Sequence, residues 1–195
     1  GGNDAVFRGL GGNDYNIFRN LTVYDSGRDA LNIFGENNLV ENCLFYDLDD
    51  DGIEFNGPNN ILRNCTITFV GNNSLEPQVS GNTFENNILD GPIEIAGGNN
   101  YITETWIYND WLQGVLPGAG NISIDPLFVD KAGRDFHLSQ IASGQGSDSP
   151  AVDAGSASSS IFGLDIQSTR TDDVSDSGIL DIGHHYIVTH PADPG

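Results

Sequence analysis

A chain of 195 residues with 28 acidic and 7 basic side chains carries a formal charge of −21. Phosphate binding needs clustered Lys and Arg, so nucleic acid is excluded as a partner, and bare anionic membranes or polyanionic glycans are repelled unless a divalent cation bridges the charges. Hydrophobic residues make up 37%, and no apolar run reaches the roughly 18 residues that a membrane-spanning helix needs.

In chain order, the head of the sequence reads as an incomplete coil. Asp4-Ala5-Val6 repeats later as Asp29-Ala30-Leu31, and Gly12-Asn13-Asp14-Tyr15-Asn16 leads into the first full unit. No amphipathic helix precedes it, so this N-terminal end is expected to be uncapped and to meet upstream chain or another subunit. The absence of Met and of a leader reads as a processed or excised segment.

From Asn16 onward a constant step governs the chain. Asn20, Asn42, Asn64 and Asn86 fall 22 residues apart, as do Asn16, Asn38, Asn60 and Asn82. Phe18, Val40, Leu62 and Phe84 keep that step, and so do Val23, Phe45, Ile67 and Leu89. A fixed period in the twenties marks a solenoid, where each repeat buries its apolar face by stacking on the next. Alternating apolar and polar residues place a first strand at 21–24, 43–46, 65–69 and 87–89, and a second at 30–34, 52–56 and 92–96. Leu31, Ile53 and Ile93 then point inward with Ile33, Phe55 and Ile95, while Asn32, Glu54 and Glu94 point outward. The next coil reads as shorter: Asn82 matches Asn100, a step of 18, with Phe84 matched by Ile102 and Ile88 by Trp106.

Stacked coils lie about 4.8 Å apart, so equivalent residues touch. The asparagines are expected to form amide ladders, each donating to one coil and accepting from the other. Arg19, Glu41, Arg63 and Glu85 alternate in sign and predict an exposed charge ladder, each pair worth about 0–1 kcal/mol.

The period stops near Asn121. Segments 122–129 and 136–138 read as strands, 144–160 as loop, 179–188 as a last apolar stretch and 190–195 as a tail. The division is therefore coils over 1–120 and an irregular capping region over 121–195.

The phrases Asn37-Asn38-Leu39-Val40-Glu41-Asn42-Cys43 and Asp51-Gly52-Ile53-Glu54-Phe55 resemble the repeat of bacterial secreted right-handed parallel β-helix proteins of the pectate-lyase-like superfamily. Asp125-Pro126-Leu127-Phe128-Val129-Asp130, Ser149-Pro150-Ala151-Val152-Asp153-Ala154-Gly155 and Asp181-Ile182-Gly183-His184-His185-Tyr186 resemble the terminal segment of surface-anchored members. The resemblance covers nearly the whole chain and implies an all-β, right-handed parallel β-helix at the cell surface or outside the cell. It does not fix an activity, because this fold carries lyases, hydrolases, epimerases and adhesins.

Asp47, Asp49 and Asp51, followed by Gly52, form the opening of a calcium loop, with Pro58 where an EF-hand has its last Glu. Asp25 and Asp29 occupy equivalent places one coil earlier. Glu54 and Glu94, with Asp51 nearby, are the candidate catalytic carboxylates on the outer face of one sheet. Cys43 and Cys65 stack as neighbours, either as buried thiols or as a disulfide. His184 and His185 adjoin and point opposite ways. Trp106, Tyr108 and Trp111 cap the core or stack on sugar. Among four glycosylation sequons, Asn72 and Asn121 stand apart from the ladder residues Asn20 and Asn64.

These features favour a non-catalytic extracellular structural protein that stacks end to end, as in a filament, through its uncapped coil. The alternatives are a polysaccharide-active enzyme (hydrolase, lyase or epimerase) working on the Asn32/Glu54/Glu94 face, and a glycan-binding adhesin module.

Overall fold

The computed structural model describes residues 6–9, 12–94 and 105–188, with backbone only at Thr105 and Trp106. It is a parallel β-solenoid with three sheets. Each full coil passes through sheet B, then sheet C, then sheet A. The strands in chain order are β1 (Phe7–Gly9), β2 (Ile17–Arg19), β3 (Thr22–Ser26), β4 (Leu31–Ile33), β5 (Leu39–Glu41), β6 (Leu44–Leu48) and β7 (Ile53–Phe55). They continue as β8 (Ile61–Arg63), β9 (Thr66–Val70), β10 (Leu75–Pro77), β11 (Thr83–Glu85), β12 (Ile88–Asp90), β13 (Thr105–Ile107) and β14 (Asp110–Trp111). Sheet A stacks β1-β4-β7-β10, sheet B β2-β5-β8-β11-β13 and sheet C β3-β6-β9-β12-β14.

The pairings keep the step of 22. Phe18 pairs with Val40, Val40 with Leu62 and Phe45 with Ile67. These inward rows form one continuous core, with Phe45, Phe55 and Phe84 fully buried. Each such ring contributes about 1.5–3 kcal/mol by leaving water.

The asparagines have two physical reasons. Asn20, Asn42, Asn64 and Asn86 adopt left-handed backbone, with φ from 50° to 56°. Asparagine tolerates this corner better than most residues. Their amides stack in pairs: Asn42 Nδ2 donates to Asn20 Oδ1 at 2.8 Å, and Asn86 Nδ2 to Asn64 Oδ1 at 3.2 Å. The ladder is interrupted between Asn42 and Asn64, because Asn42 Oδ1 accepts the His185 N–H instead. The other row is more continuous: Asn38 Oδ1 accepts from Asn16, Asn60 Oδ1 from Asn38, and Asn82 Oδ1 from the Asn60 N–H. A third run, Asn87, Asn109 and Asn121, lines the last coils.

Two sequence expectations are corrected. The fourth coil does not shorten at sheet B, where Phe84 pairs with Trp106 and Ile88 with Asp110. The step of 18 falls on sheet A, where Ile93 bridges to Leu75. The turn after β12 is short, and the step of 22 holds again at β13. Ile95, Ala96, Asn100 and Ile102 lie outside the described residues. The charge ladder forms but is exposed only in part, with the Arg19 side chain in solvent and Glu41 buried. Arg19 and Arg63 both reach Glu41, which is only 2% exposed, while Glu85 accepts from Ser156.

The terminal region packs against the same ladder, at Arg63 and Glu85. It holds β15 (Phe128–Asp130) antiparallel to β16 (Asp135–Leu138), a 3-10 turn (Ile141–Ser143), helix α1 (Ser159–Phe162), and β17 (Gln167–Ser168) paired with β18 (Tyr186–Ile187). Among the described residues its contacts with the coils fall on sheets B and C. Phe162 lies against Arg63, Arg134 pairs with Asp47, Lys131 with Asp90, and His184 and His185 bind Thr66 and Asn42. It thus runs along the stack as far as the second coil. Burial, then the charge of His185, holds His184 down to about 3, so it stays neutral. His185 is anchored by Asp176 at 2.8 Å.

Asp110, at the start of β14, lies fully buried under this cover, and its Oδ2 has no hydrogen-bond partner among the described residues. Burial, then the Asp125 and Asp90 charges, raises it to about 6. The folded value exceeds the unfolded one, so its stabilising contribution is complete below the unfolded value of 3.8 and is lost as pH rises to about 6. Asp110→Asn should therefore stabilise the fold at pH 7 by about 1–3 kcal/mol and flatten the decline between those values. Urea unfolding at several pH values checks this.

Candidate functional site

Among the described residues the terminal region makes no contact with sheet A, whose outward side chains form a polar grid. The central row is Arg8, Asn32, Glu54 and Glu76, placed in register by the β1–β4, β4–β7 and β7–β10 pairings. Glu94 follows, its N–H donating to Leu75 O at 3.1 Å. Asp29, Asp51 and Asn73 form the row before it, and Asn56 and Gln78 the row after it.

The grid is bonded both along and across coils. Asn32 Nδ2 donates to Glu54 Oε2 and, at 3.3 Å, to Asp29 Oδ2. Asn56 Nδ2 donates to Asn32 Oδ1 at 3.1 Å, and Gln78 Nε2 donates to Glu76 Oε1. The Asp51 N–H donates to Asp29 Oδ1 at 3.3 Å, and the Asn73 N–H to Asp51 Oδ1 at 2.8 Å. Asn73 Nδ2 reaches Glu94 Oε2 at 3.4 Å.

Glu76 is the residue that sequence reasoning missed. Burial raises it most; a hydrogen bond to Asp51 and the charges of Asp51, Glu54 and Glu94 add to this, and together they bring it to about 8. Glu76 therefore keeps its proton at neutral pH and is a hydrogen-bond donor beside other carboxyls. The signal for it was in the sequence, because the step of 22 carries Ile53-Glu54 onto Leu75-Glu76. Pro77 and the polar Asn72-Asn73-Ser74 mask the strand, so alternation in the sequence points to Glu94 instead.

The other candidate residues are distributed as follows. Asp51 lies on the sheet-A side, close to Glu76. Asp47 sits at the far corner in left-handed backbone, held by Arg134. Asp51 is grouped with Asp29 and Asp50, whose carboxylate oxygens lie within 4.8 Å of one another, and Asp47 and Asp49 stand outside that group. Asp50 is raised by burial, then by Asp51 and Asp29, and is partly relieved by Arg28 at 3.3 Å. Three hard oxygen donors suit a divalent cation in kind.

Cys43 and Cys65 are free and fully buried. Trp111 extends the inward row of Leu89, packs on the core and donates its Nε1–H to Gly91 O at 2.9 Å. The side chain of Trp106 lies outside the described residues.

No curated protein and no solved structure matches the chain. Residues 9–125, more than half of the chain, match the family described as right handed beta helix region. With the three parallel sheets and the step of 22, this match places the chain in the right-handed β-helix family.

Proposed function

We propose that the protein is an extracellular glycan-processing β-helix whose sheet-A face hydrolyses a glycosidic bond. The observation that carries this reading is Glu76, a carboxyl that holds its proton up to about pH 8, in register with Glu54 on the adjacent coil. Glu76 is the general acid that protonates the leaving oxygen. Glu54, its register partner on the adjacent strand, supplies the second carboxylate that glycoside hydrolysis requires. Asp51 positions Glu76 through their hydrogen bond, and Glu94 extends the face. Arg8, the one basic side chain in the central row, packs over Phe34, so the neutralisation of a uronate that a lyase requires is poorly served. Any calcium would be held by Asp29, Asp50 and Asp51.

The test is release of reducing ends from a panel of neutral and amine-bearing polysaccharides. Glu76→Gln and Glu54→Gln are each expected to lower turnover by about 10²-fold or more. The wild-type rate should fall as pH rises through about 8, where Glu76 loses its proton. Turnover that survives both substitutions would overturn the assignment.

A second reading, an end-to-end structural assembly, is favoured by the first coil. Tyr15, Ile17 and Tyr24 are 76%, 61% and 59% exposed there, on the outer edge of sheets B and C. Concentration-dependent sedimentation that Ile17→Lys abolishes would support it; a monomer at high concentration would exclude it.

A further inference from the structure

The two cysteines have no part in the chemistry above, yet they are placed together. Cys43 follows β5 and Cys65 follows β8, 22 residues apart, so they occupy the same position on consecutive coils. Both are fully buried among core residues. The Cys43 N–H donates to Cys65 Sγ at 3.4 Å, so that sulfur lies against the neighbouring cysteine's backbone. Each sulfur also contacts a backbone carbonyl of its own coil, Cys43 that of Glu41 at 3.2 Å and Cys65 that of Arg63 at 3.1 Å. Adjacent strands set the Cα separation near 4.8 Å, inside the disulfide range of about 4.4–6.8 Å.

We propose that Cys43 and Cys65 are an oxidation site that forms a disulfide staple between the second and third coils. A disulfide oxidant, such as oxidised glutathione, accepts the two electrons. Both S–H bonds break, one S–S bond forms, and the two protons leave with the two glutathione thiols. The staple closes a loop of 22 residues and joins the coils that carry Glu54 and Glu76. It requires neither that face nor any activity to exist.

The experiment uses the full chain, equilibrated with oxidised glutathione in a urea concentration low enough for reversible opening, because both thiols are shielded in the closed fold. After denaturing alkylation, the intact mass should be lower than that of the reduced chain by two hydrogens, with no alkyl groups added. A peptide map should join the segments bearing Cys43 and Cys65. The bridged chain should melt several degrees above its reduced form, and a reductant should reverse the gain. Cys65→Ser should show no such gain. Recovery of two alkylated thiols, of glutathione adducts alone, of a bridged chain that melts no higher, or of the same gain in Cys65→Ser would overturn the proposal.

Discussion

Phe84→Ala is expected to cost about 3–5 kcal/mol, the range for deleting a buried aromatic ring. Phe84 is fully buried in the inward row of Val40 and Leu62, and its ring lies 6.1 Å from that of Phe55. A solenoid has a thin core, one side chain per row per coil, so no second layer exists to collapse into the gap. Its carbonyl also accepts Asn109 Nδ2 at 2.8 Å, tying the next coil to the same site. Ile17→Ala, at an exposed position of the same sheet, should change stability by only about 0.5 kcal/mol or less. Urea unfolding of the two variants checks the contrast. Equal losses would mean that the inward rows do not form the core.

Gly57→Ala is expected to be as damaging, for a different reason. A Cβ at Gly57 would lie 2.0 Å from the carbonyl oxygen of Gly35 and 3.1 Å from that of Phe34. The obstruction is backbone on the neighbouring coil, so no side-chain rotation relieves it. The coils would have to separate at that corner, breaking strand pairing on both sides, and a loss of about 3 kcal/mol or more follows. Gly144→Ala is the control. Gly144 has φ of +97° but nothing within 4 Å of the added carbon, so only the conformational cost of about 1 kcal/mol remains. Circular dichroism melts of both variants give the order; a milder effect at Gly57 than at Gly144 would contradict close stacking there.

Residues that repeat were legible and residues that break the repeat were not. Asn42 and Asn64, Phe45 and Ile67, and the paired Arg19, Glu41 and Arg63 announced their partners by spacing alone. The burial of Glu41 was not legible, because the two arginines close over it and distant chain, which follows no period, meets the same ladder: Phe162 at Arg63 and Ser156 at Glu85. The same limit hid the interruption of the asparagine ladder at His185. Glu76 was hidden for a local reason: a strand of Leu75-Glu76-Pro77 holds one aliphatic residue and ends in a proline, so alternation could not reveal it. The sequence grouped Asp47, Asp49 and Asp51 because they alternate along the chain. The turn at Asp47, with its left-handed φ of 52°, sends that carboxylate to Arg134 and leaves Asp51 with Asp29 and Asp50.

The most direct test of the sheet-A chemistry is the titration of Glu76 itself, followed through its side-chain carboxyl carbon by NMR. A midpoint near 8 that falls in Asp51→Asn is the expected result, since burial and the Asp51 hydrogen bond are the two largest causes of the rise. A midpoint at the ordinary glutamate value of 4.5, with the coils intact, would contradict the assignment of Glu76 as the acid.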